Sequence, residues 1–358
     1  MRQQGRQKRS FFSILIRIVA IALAFLVGFG AAIYFWLGKS EYTPVTVVDP
    51  EGRIVFDAGT RTDQEGAYQA QGKVPVHISP DHPIVRRPRK HPAVRNYLIV
   101  GTDSRGEEEA RTDSMMILSV DARNRVIKLS SLMRDIEVDL GDYGARSKLN
   151  AAYVYGGIGY LINVINKYCD LDIEGFMLVD FWSAMKIVDD MGGVDLTVTE
   201  AEVEAVNIVM QEMNNLLERD PGTELLTTAG PQTLTGAQAI AWARVRSVGS
   251  DHARTGRQRA LVGAVLAKFG SINPLKRLSA ATTVIEDMQT NLRPGDLMKL
   301  GLGALISRRG TLEYKVPADE SFYTTDGDNW NIIVDWDRQR PALHNFIYEV
   351  GPEDQTGE

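Results

Sequence analysis

Residues 96–135 read NYLIVGTDSRGEEEARTDSMMILSVDARNRVIKLSSLMRD, and this stretch decides the fold. Tyr97 to Val100 is a short apolar run entering Gly101, the pattern of a buried strand that stops at a loop. Ser114 to Val120 and Val126 to Ser131 are two further runs joined by the tight connection Asp121 to Arg125, which predicts a hairpin. If the first two strands pair antiparallel, Asp103 and Arg105 share one sheet edge with Arg111 and Asp113. The third strand then returns Arg134 and Asp135 to that same edge. Arg111 and Asp113 are two apart, so in extended chain they point to one side.

Helical periodicity follows the strands. Ile158, Leu161, Ile162 and Ile165 recur at i, i+3, i+4, i+7, and so do Phe181, Ala184, Met185 and Val188. The second helix is predicted to stop at Gly192-Gly193, with Val194 to Val198 returning as a strand. Thr235 and Gln238 form a capping-box start for a helix through Trp242, and Val262, Val265, Leu266 and Phe269 mark another. Strands alternating with helices give an α/β domain with a mixed sheet covered on both faces. Gly156, Gly157 and Gly159 read as a turn and not as a phosphate cradle, since no Walker-type loop is present.

Upstream of this domain the chain changes character. Ile18 to Leu37 is uncharged and almost wholly apolar, about the 20 residues that cross a bilayer as a helix. Basic residues before it and Tyr34, Phe35 and Trp36 at its far end orient the N-terminus to the cytoplasm. A cleavable signal peptide is the other reading, disfavoured because its apolar core is shorter, at about 7 to 15 residues. The expected organisation is a basic tail over 1–17, a single transmembrane helix over 18–38, an extracytoplasmic stalk over 39–95, a catalytic domain over 96–350 and a disordered tail over 351–358. Within the stalk, Thr46 to Phe56 reads as a hairpin, and Arg86, Arg87, Arg89 and Lys90 read as a solvated linker in preference to a patch for phospholipid or anionic wall polymer.

Composition narrows the function. The 358 residues are 44% apolar, enough for a sizeable core, and the net charge of −6 hides a basic N-terminus before a net acidic remainder, which argues against general nucleic-acid binding. Cys169 stands alone, which excludes an intrachain disulfide and a cysteine metal cluster, and it reads as a small buried side chain. The five histidines show no zinc-binding spacing.

What remains is a collection of Asp and Arg. Arg254, Arg257 and Gln258 lie at i, i+3, i+4 on a helix face that continues through Leu261 and Val265, so the arginines extend an apolar stripe. Arg244 and Arg246 point together only if the chain becomes extended after Ala243. A guanidinium on a buried face needs a carboxylate or phosphate partner. Asp103 and Asp113 are either those partners or ligands of Mg²⁺, a hard cation that takes carboxylate and phosphate oxygens, and residue chemistry leaves both open.

The strings GTDSR, ARTDSMM, SLMRD, KLNAAY, WARVRS and D-x-x-R-x-x-R-Q, in this order after one N-terminal span, resemble the LytR-CpsA-Psr family over roughly Asn96 to Tyr348. The resemblance implies a three-layer α-β-α sandwich with a mixed central sheet that transfers glycopolymers from a polyprenyl-pyrophosphate carrier to peptidoglycan at the outer face of the cell membrane. It implies Asp103 and Asp113 as ligands of Mg²⁺, with Mn²⁺ as the alternative ion, and Asp103, Arg111, Asp113 and Arg134 as the catalytic group. It further implies Arg105, Arg134, Arg244, Arg246, Arg254, Arg257 and Gln258 as pyrophosphate-binding residues. The implied partners are the lipid-linked glycopolymer, peptidoglycan and membrane lipid, with no nucleic acid. Met133 stands where the family usually has proline, Ala253 where glycine is common, and Thr199 to Leu234 is longer and more acidic than the family pattern.

The implied reaction is attack by a peptidoglycan hydroxyl on the phosphorus nearest the glycan, with Asp103 as first candidate for the base and Asp251 as second. The rivals are a pyrophosphatase using water and a non-catalytic envelope sensor. The helices carrying Ile158 to Ile165 and Phe181 to Val188 are candidates to line a tunnel for the isoprenoid, with core packing as the competing reading.

Overall fold

The computed structural model describes residues 41–42, 45–50, 54–56, 82–102, 112–141, 146–249, 251–273, 288–293, 295–297, 299–300, 311–319, 321–325 and 330–349. The expected membrane span lies outside them. Among the described residues no helix is long and apolar enough to cross a membrane.

Seven strands form one mixed sheet: β1 (Glu41–Tyr42), β2 (Val94–Thr102), β3 (Thr112–Asp121), β4 (Val126–Leu132), β5 (Gly175–Asp180), β6 (Gln289–Thr290) and β7 (Thr311–Val316). Their spatial order is β1-β6-β5-β2-β3-β4-β7. The antiparallel β2-β3-β4 meander predicted from the opening stretch is its centre. Parallel β5 and β7 flank it, pairing with β2 and β4. Asp121 fixes the β3-β4 turn by accepting from the amides of Arg123 and Asn124 at 3.0 and 3.1 Å.

Alternation along these strands divides the interior. Leu98, Val100, Met115 and Ile117 face helix α1 (Ala151–Cys169), whose Ile158, Leu161, Ile162 and Ile165 are at most 1% exposed. The opposite face, with Ile99, Met116 and Met177, looks toward α2 (Phe181–Asp190), α4 (Gly236–Arg244) and α5 (Asp251–Ser271). Helix α3 (Glu200–Leu216) packs outside α4, and α6 (Trp336–His344) lies against α1. Helices therefore cover both faces, as expected.

Local signals act as read. Gly192 and Gly193 end the α2 region at φ 80° and 87°, backbone that favours glycine. Both bonds of the Thr235/Gln238 capping box form at the start of α4. The strand Val194–Val198 exists, but it pairs with Gly230–Leu234 in a separate ribbon and does not join the main sheet. The glycine run Gly156-Gly157 is a break inside α1, where Gly157 takes φ 67°. Cys169 is fully packed, and burial pushes its thiol up to about 12, so it is inert as expected.

The stalk reading needs correction for its described parts. The hairpin is present, with Val47–Val48 pairing Ile54–Phe56, but Val45, Val47 and Ile84 belong to the main core. Asn163 of α1 accepts from the Val85 amide at 2.8 Å and donates to the Pro83 carbonyl at 2.8 Å. A Cβ at Gly159 would stand 2.2 Å from the His82 carbonyl oxygen, so only glycine admits this close approach. The basic patch is paired as well: Arg86 meets Glu174 at 2.9 Å, and Lys90 and Arg87 meet Asp170 at 2.6 and 3.6 Å. Residues 82–93 are thus part of the folded domain, because their apolar and charged groups both have partners there.

Candidate active site

Strand register brings the predicted loops together. Gly101 lies opposite Ser114 and Thr102 opposite Thr112, so Asp113 is the extra residue of a β-bulge at the mouth of the β2-β3 loop. Bulges of this kind recur beside active sites, where they interrupt regular pairing. At the same edge β4 ends at Leu132, opposite Met115, just before Arg134. Strand β5 ends there too, with Asp180 opposite Thr102. Asp103, Arg105 and Arg111 lie outside the described residues, and of Asp113 only the backbone is described.

Below this edge, between the sheet and helices α2, α4 and α5, runs a cavity of about 380 Å³. Its wall is almost wholly apolar, with Met116, Met177, Ile187, Val265 and Phe269 among the lining side chains. Among the described residues the polar lining is Ser114, Asp180, Arg244 and Gln258, toward the strand ends. From Gln258 to Phe269 the wall follows α5 for about 16 Å. The Phe181 helix lines this cavity, as one of the two tunnel expectations had it. The Ile158 helix does not: it is core on the other face of the sheet.

The downstream arginines divide into different environments. Arg244 ends α4 with its guanidinium 4.8 Å over the Phe181 ring, which holds a cation at the cavity mouth. The helix runs through Arg244, one residue beyond the expected break after Ala243; Val245 is then extended and buried, and Arg246 is exposed. Arg254 is 3% exposed. Arg257 is engaged elsewhere. Its Nη1 meets Glu202 Oε1 at 3.1 Å, and its Nη2 donates to the carbonyls of Val245 and Val248 at 2.6 and 3.2 Å. Arg134 reaches Asp135 at 3.3 Å, while Lys148 takes the other Asp135 oxygen at 2.6 Å.

Four residues in or around this site were not picked out by the sequence reading. Asp180 caps α2 by accepting from Ser183 N at 2.8 Å, and its signal was an Asp at a strand end three residues before Ser. Lys148 sits within the KLNAAY string and neutralises Asp135. Arg259, beside Gln258, donates to the Ser131 hydroxyl and meets Glu313 at 3.2 Å, tying α5 to β4 and β7. Glu202 closes the capping box of α3 while pairing with Arg257. Burial works to raise its pKa, but the Thr199 amide and hydroxyl and the Trp242 indole, with a smaller part from the Arg257 charge, outweigh this and hold the carboxyl below the usual range.

A metal is tested by its donors. Among the described residues no three His, Cys, Asp or Glu side chains are grouped to hold one, a set that excludes Asp103 and the Asp113 side chain. Beside Asp113, the buried Thr112 hydroxyl has no hydrogen-bond partner, and Asp103 follows the residue paired with Thr112. By residue type, Asp103, Asp113 and the Thr112 hydroxyl are oxygen donors, the chemistry that suits a hard divalent cation.

A model described as the LytR_cpsA_psr family matches residues 57–333. The polyisoprenyl-teichoic acid--peptidoglycan teichoic acid transferase TagU of Bacillus mycoides (strain KBAB4) is 28% identical over 225 residues, 62% of this chain and 68% of that one. TagU of Enterococcus faecalis (strain ATCC 700802 / V583) is 24% identical over 300 residues, 82% of this chain and 83% of that one. Among solved structures, TagT bound to LIIa-WTA superposes with a TM-score of 0.58 at 20% identity, covering 74% of this chain and 96% of that one. TagV of Bacillus subtilis does so at 0.55 and 21%, covering 72% and 98%. The fold is therefore shared with these structures, and a family match spanning the sheet, the arginine-bearing helices and the strand-end loops makes this chain a member of the LytR_cpsA_psr family.

Proposed function

We propose that this protein is a phosphotransferase that moves a glycopolymer from a polyprenyl-pyrophosphate carrier onto a peptidoglycan hydroxyl at the outer face of the cell membrane. The observation that carries the reading is the cavity: an apolar channel of about 380 Å³ whose polar lining, among the described residues, gathers at one end. That shape suits a ligand with a hydrocarbon tail and an anionic head. The named activity of the TagU relatives supports the same substrate class.

In this reading the isoprenoid lies along α2 and α5, and the pyrophosphate meets Arg244, Arg246, Arg254 and Gln258, with Arg105, Arg111 and Arg134 arriving from the strand ends. Exclusion of water by the apolar wall strengthens these charge contacts. The acceptor hydroxyl attacks the phosphorus bearing the glycan, its proton passes to a carboxylate, and polyprenyl phosphate leaves. Asp103 is the first candidate for that base and Asp251 the second. Asp103 and Asp113 hold Mg²⁺ or Mn²⁺, which when bound offsets pyrophosphate charge. Positioning and neutralisation do most of the work in such a transfer. Residues 18–38 anchor the chain in the membrane with the domain outside, in reach of membrane lipid.

The test is direct. Full-length protein extracted from membranes is analysed by mass spectrometry for bound polyprenyl phosphates, then assayed for transfer of labelled glycan to peptidoglycan. Bound isoprenoid with glycan transfer supports the reading; phosphate release to water without transfer makes the protein a pyrophosphatase; neither lipid nor turnover overturns it.

A further inference from the structure

Arg257 and Glu202 are 55 residues apart in sequence, and each is only 7% exposed. Their contact is one link of a longer chain. Glu202 Oε2 accepts from the Thr199 amide at 2.9 Å, which fixes the carboxylate at the first turn of α3. Its other oxygen takes Arg257 Nη1, while Arg257 Nη2 bridges the Val245 and Val248 carbonyls. Those two carbonyls bracket the turn that leaves α4 and enters α5. Arg244 and Arg246 stand on either side of Val245, which is itself wholly buried.

A buried ion pair is weak grounds for stability, because desolvation offsets most of its attraction. Its direction is more informative. Both Nη groups of Arg257 are turned to protein acceptors, so this arginine acts on the turn and not on a phosphate. We propose that Glu202, acting through Arg257, is a positioning residue that sets the turn 245–248 and with it the placement of Arg244 at the cavity mouth and of the exposed Arg246 two residues on. The inference rests on the anion-binding reading of that mouth, and it revises the role that family resemblance gives Arg257. It also gives a purpose to one acid of the stretch Thr199 to Leu234. The helix there supplies a fixed carboxylate that takes Nη1 of Arg257, leaving Nη2 to the turn.

Displacement of phosphate-binding groups by a fraction of an ångström weakens anion recognition without emptying the apolar cavity. Full-length protein in detergent is titrated calorimetrically with farnesyl pyrophosphate and, separately, with farnesol. Glu202→Gln keeps the size of the side chain and an oxygen for the Thr199 amide. It is expected to bind farnesyl pyrophosphate about tenfold more weakly, the order expected of misplaced groups. Farnesol affinity is expected to stay at the wild-type value. Wild-type affinity of E202Q for farnesyl pyrophosphate overturns the proposal, and so does equal loss of both ligands, which marks a merely structural pair. If E202Q does not fold, Arg257→Lys takes its place, because a single ammonium keeps the charge beside Glu202 but lacks the second nitrogen with which the guanidinium reaches the turn carbonyls at the same time. The same selective loss is expected of it, and the same two results refute it. Wild-type protein that prefers farnesol sinks the anion-binding reading itself, a failure distinct from the other two.

Discussion

Asp180, the last residue of β5, lies directly across the ladder from Thr102, the last residue of β2. This parallel register puts the start of α2 beside the loop that carries Asp103, so one carboxylate both begins the cavity wall and borders its polar end. Asp180→Ala removes the cap on Ser183 and is expected to cost about 0.5 to 2 kcal/mol. Asp180→Ser, which retains a capping oxygen, should recover most of it. Urea unfolding midpoints for the two variants check this.

The two periodic helices give opposite outcomes. Ile162→Ala opens the α1 core and should cost about 2 to 5 kcal/mol with no change in isoprenoid binding. Ala184→Phe fills the cavity from α2 and should abolish copurification of polyprenyl phosphate with little loss of melting temperature. Lipid extraction and a melting curve, run on both variants, separate core from channel.

Glu202 links stability to acidity. Its folded pKa is depressed, so the unfolded chain binds more protons as pH drops below the ordinary glutamate value of about 4.3. The stabilisation is therefore complete above that value and is lost as pH falls through the folded pKa. E202Q should flatten the acid limb of a stability profile measured from pH 6 downward. An unchanged limb would place the carboxyl's stabilisation elsewhere.

Asp113→Asn retains side-chain size and removes an anionic oxygen at the bulge. Glycan transfer should fall steeply while isoprenoid binding persists, and raised Mg²⁺ should restore part of the activity. EDTA should silence the wild type. Full transfer by the wild type in EDTA rejects the metal.

Topology has its own check. Protease added to intact protoplasts should remove the domain beyond Lys39, and survival of the full-length chain would reverse the assigned orientation.

Local chemistry was legible in the sequence: the β2-β3-β4 meander, the two helical stripes, the capping box and the glycine stop depend on neighbours within a few residues. Which stripe lines a cavity was not, because Ile162 and Val188 have the same periodicity, and only the crossover of the sheet decides which face each helix covers. Glu202 escaped notice for a similar reason. Its partner lies on a distant helix, and its local environment reads as an ordinary capping box. Residues 82–93 misled through composition, since proline and basic residues suggest a linker until Asn163 and Asp170 supply their contacts. The shared edge of β2, β3 and β4 was legible from their expected antiparallel pairing, and the fourth arm at Asp180 required the parallel pairing of β5.

The sheet separates the apolar core around α1 from the clusters on its other face, one on the strands themselves around Leu129 and Met177 and one among α2, α3, α4 and α5. Inheritance can treat the two faces independently. A lineage facing a longer or bulkier lipid can exchange Ala184, Val265 or Phe269 at the channel wall while the α1 side keeps the chain foldable. Carrier preference is then free to diverge within one architecture.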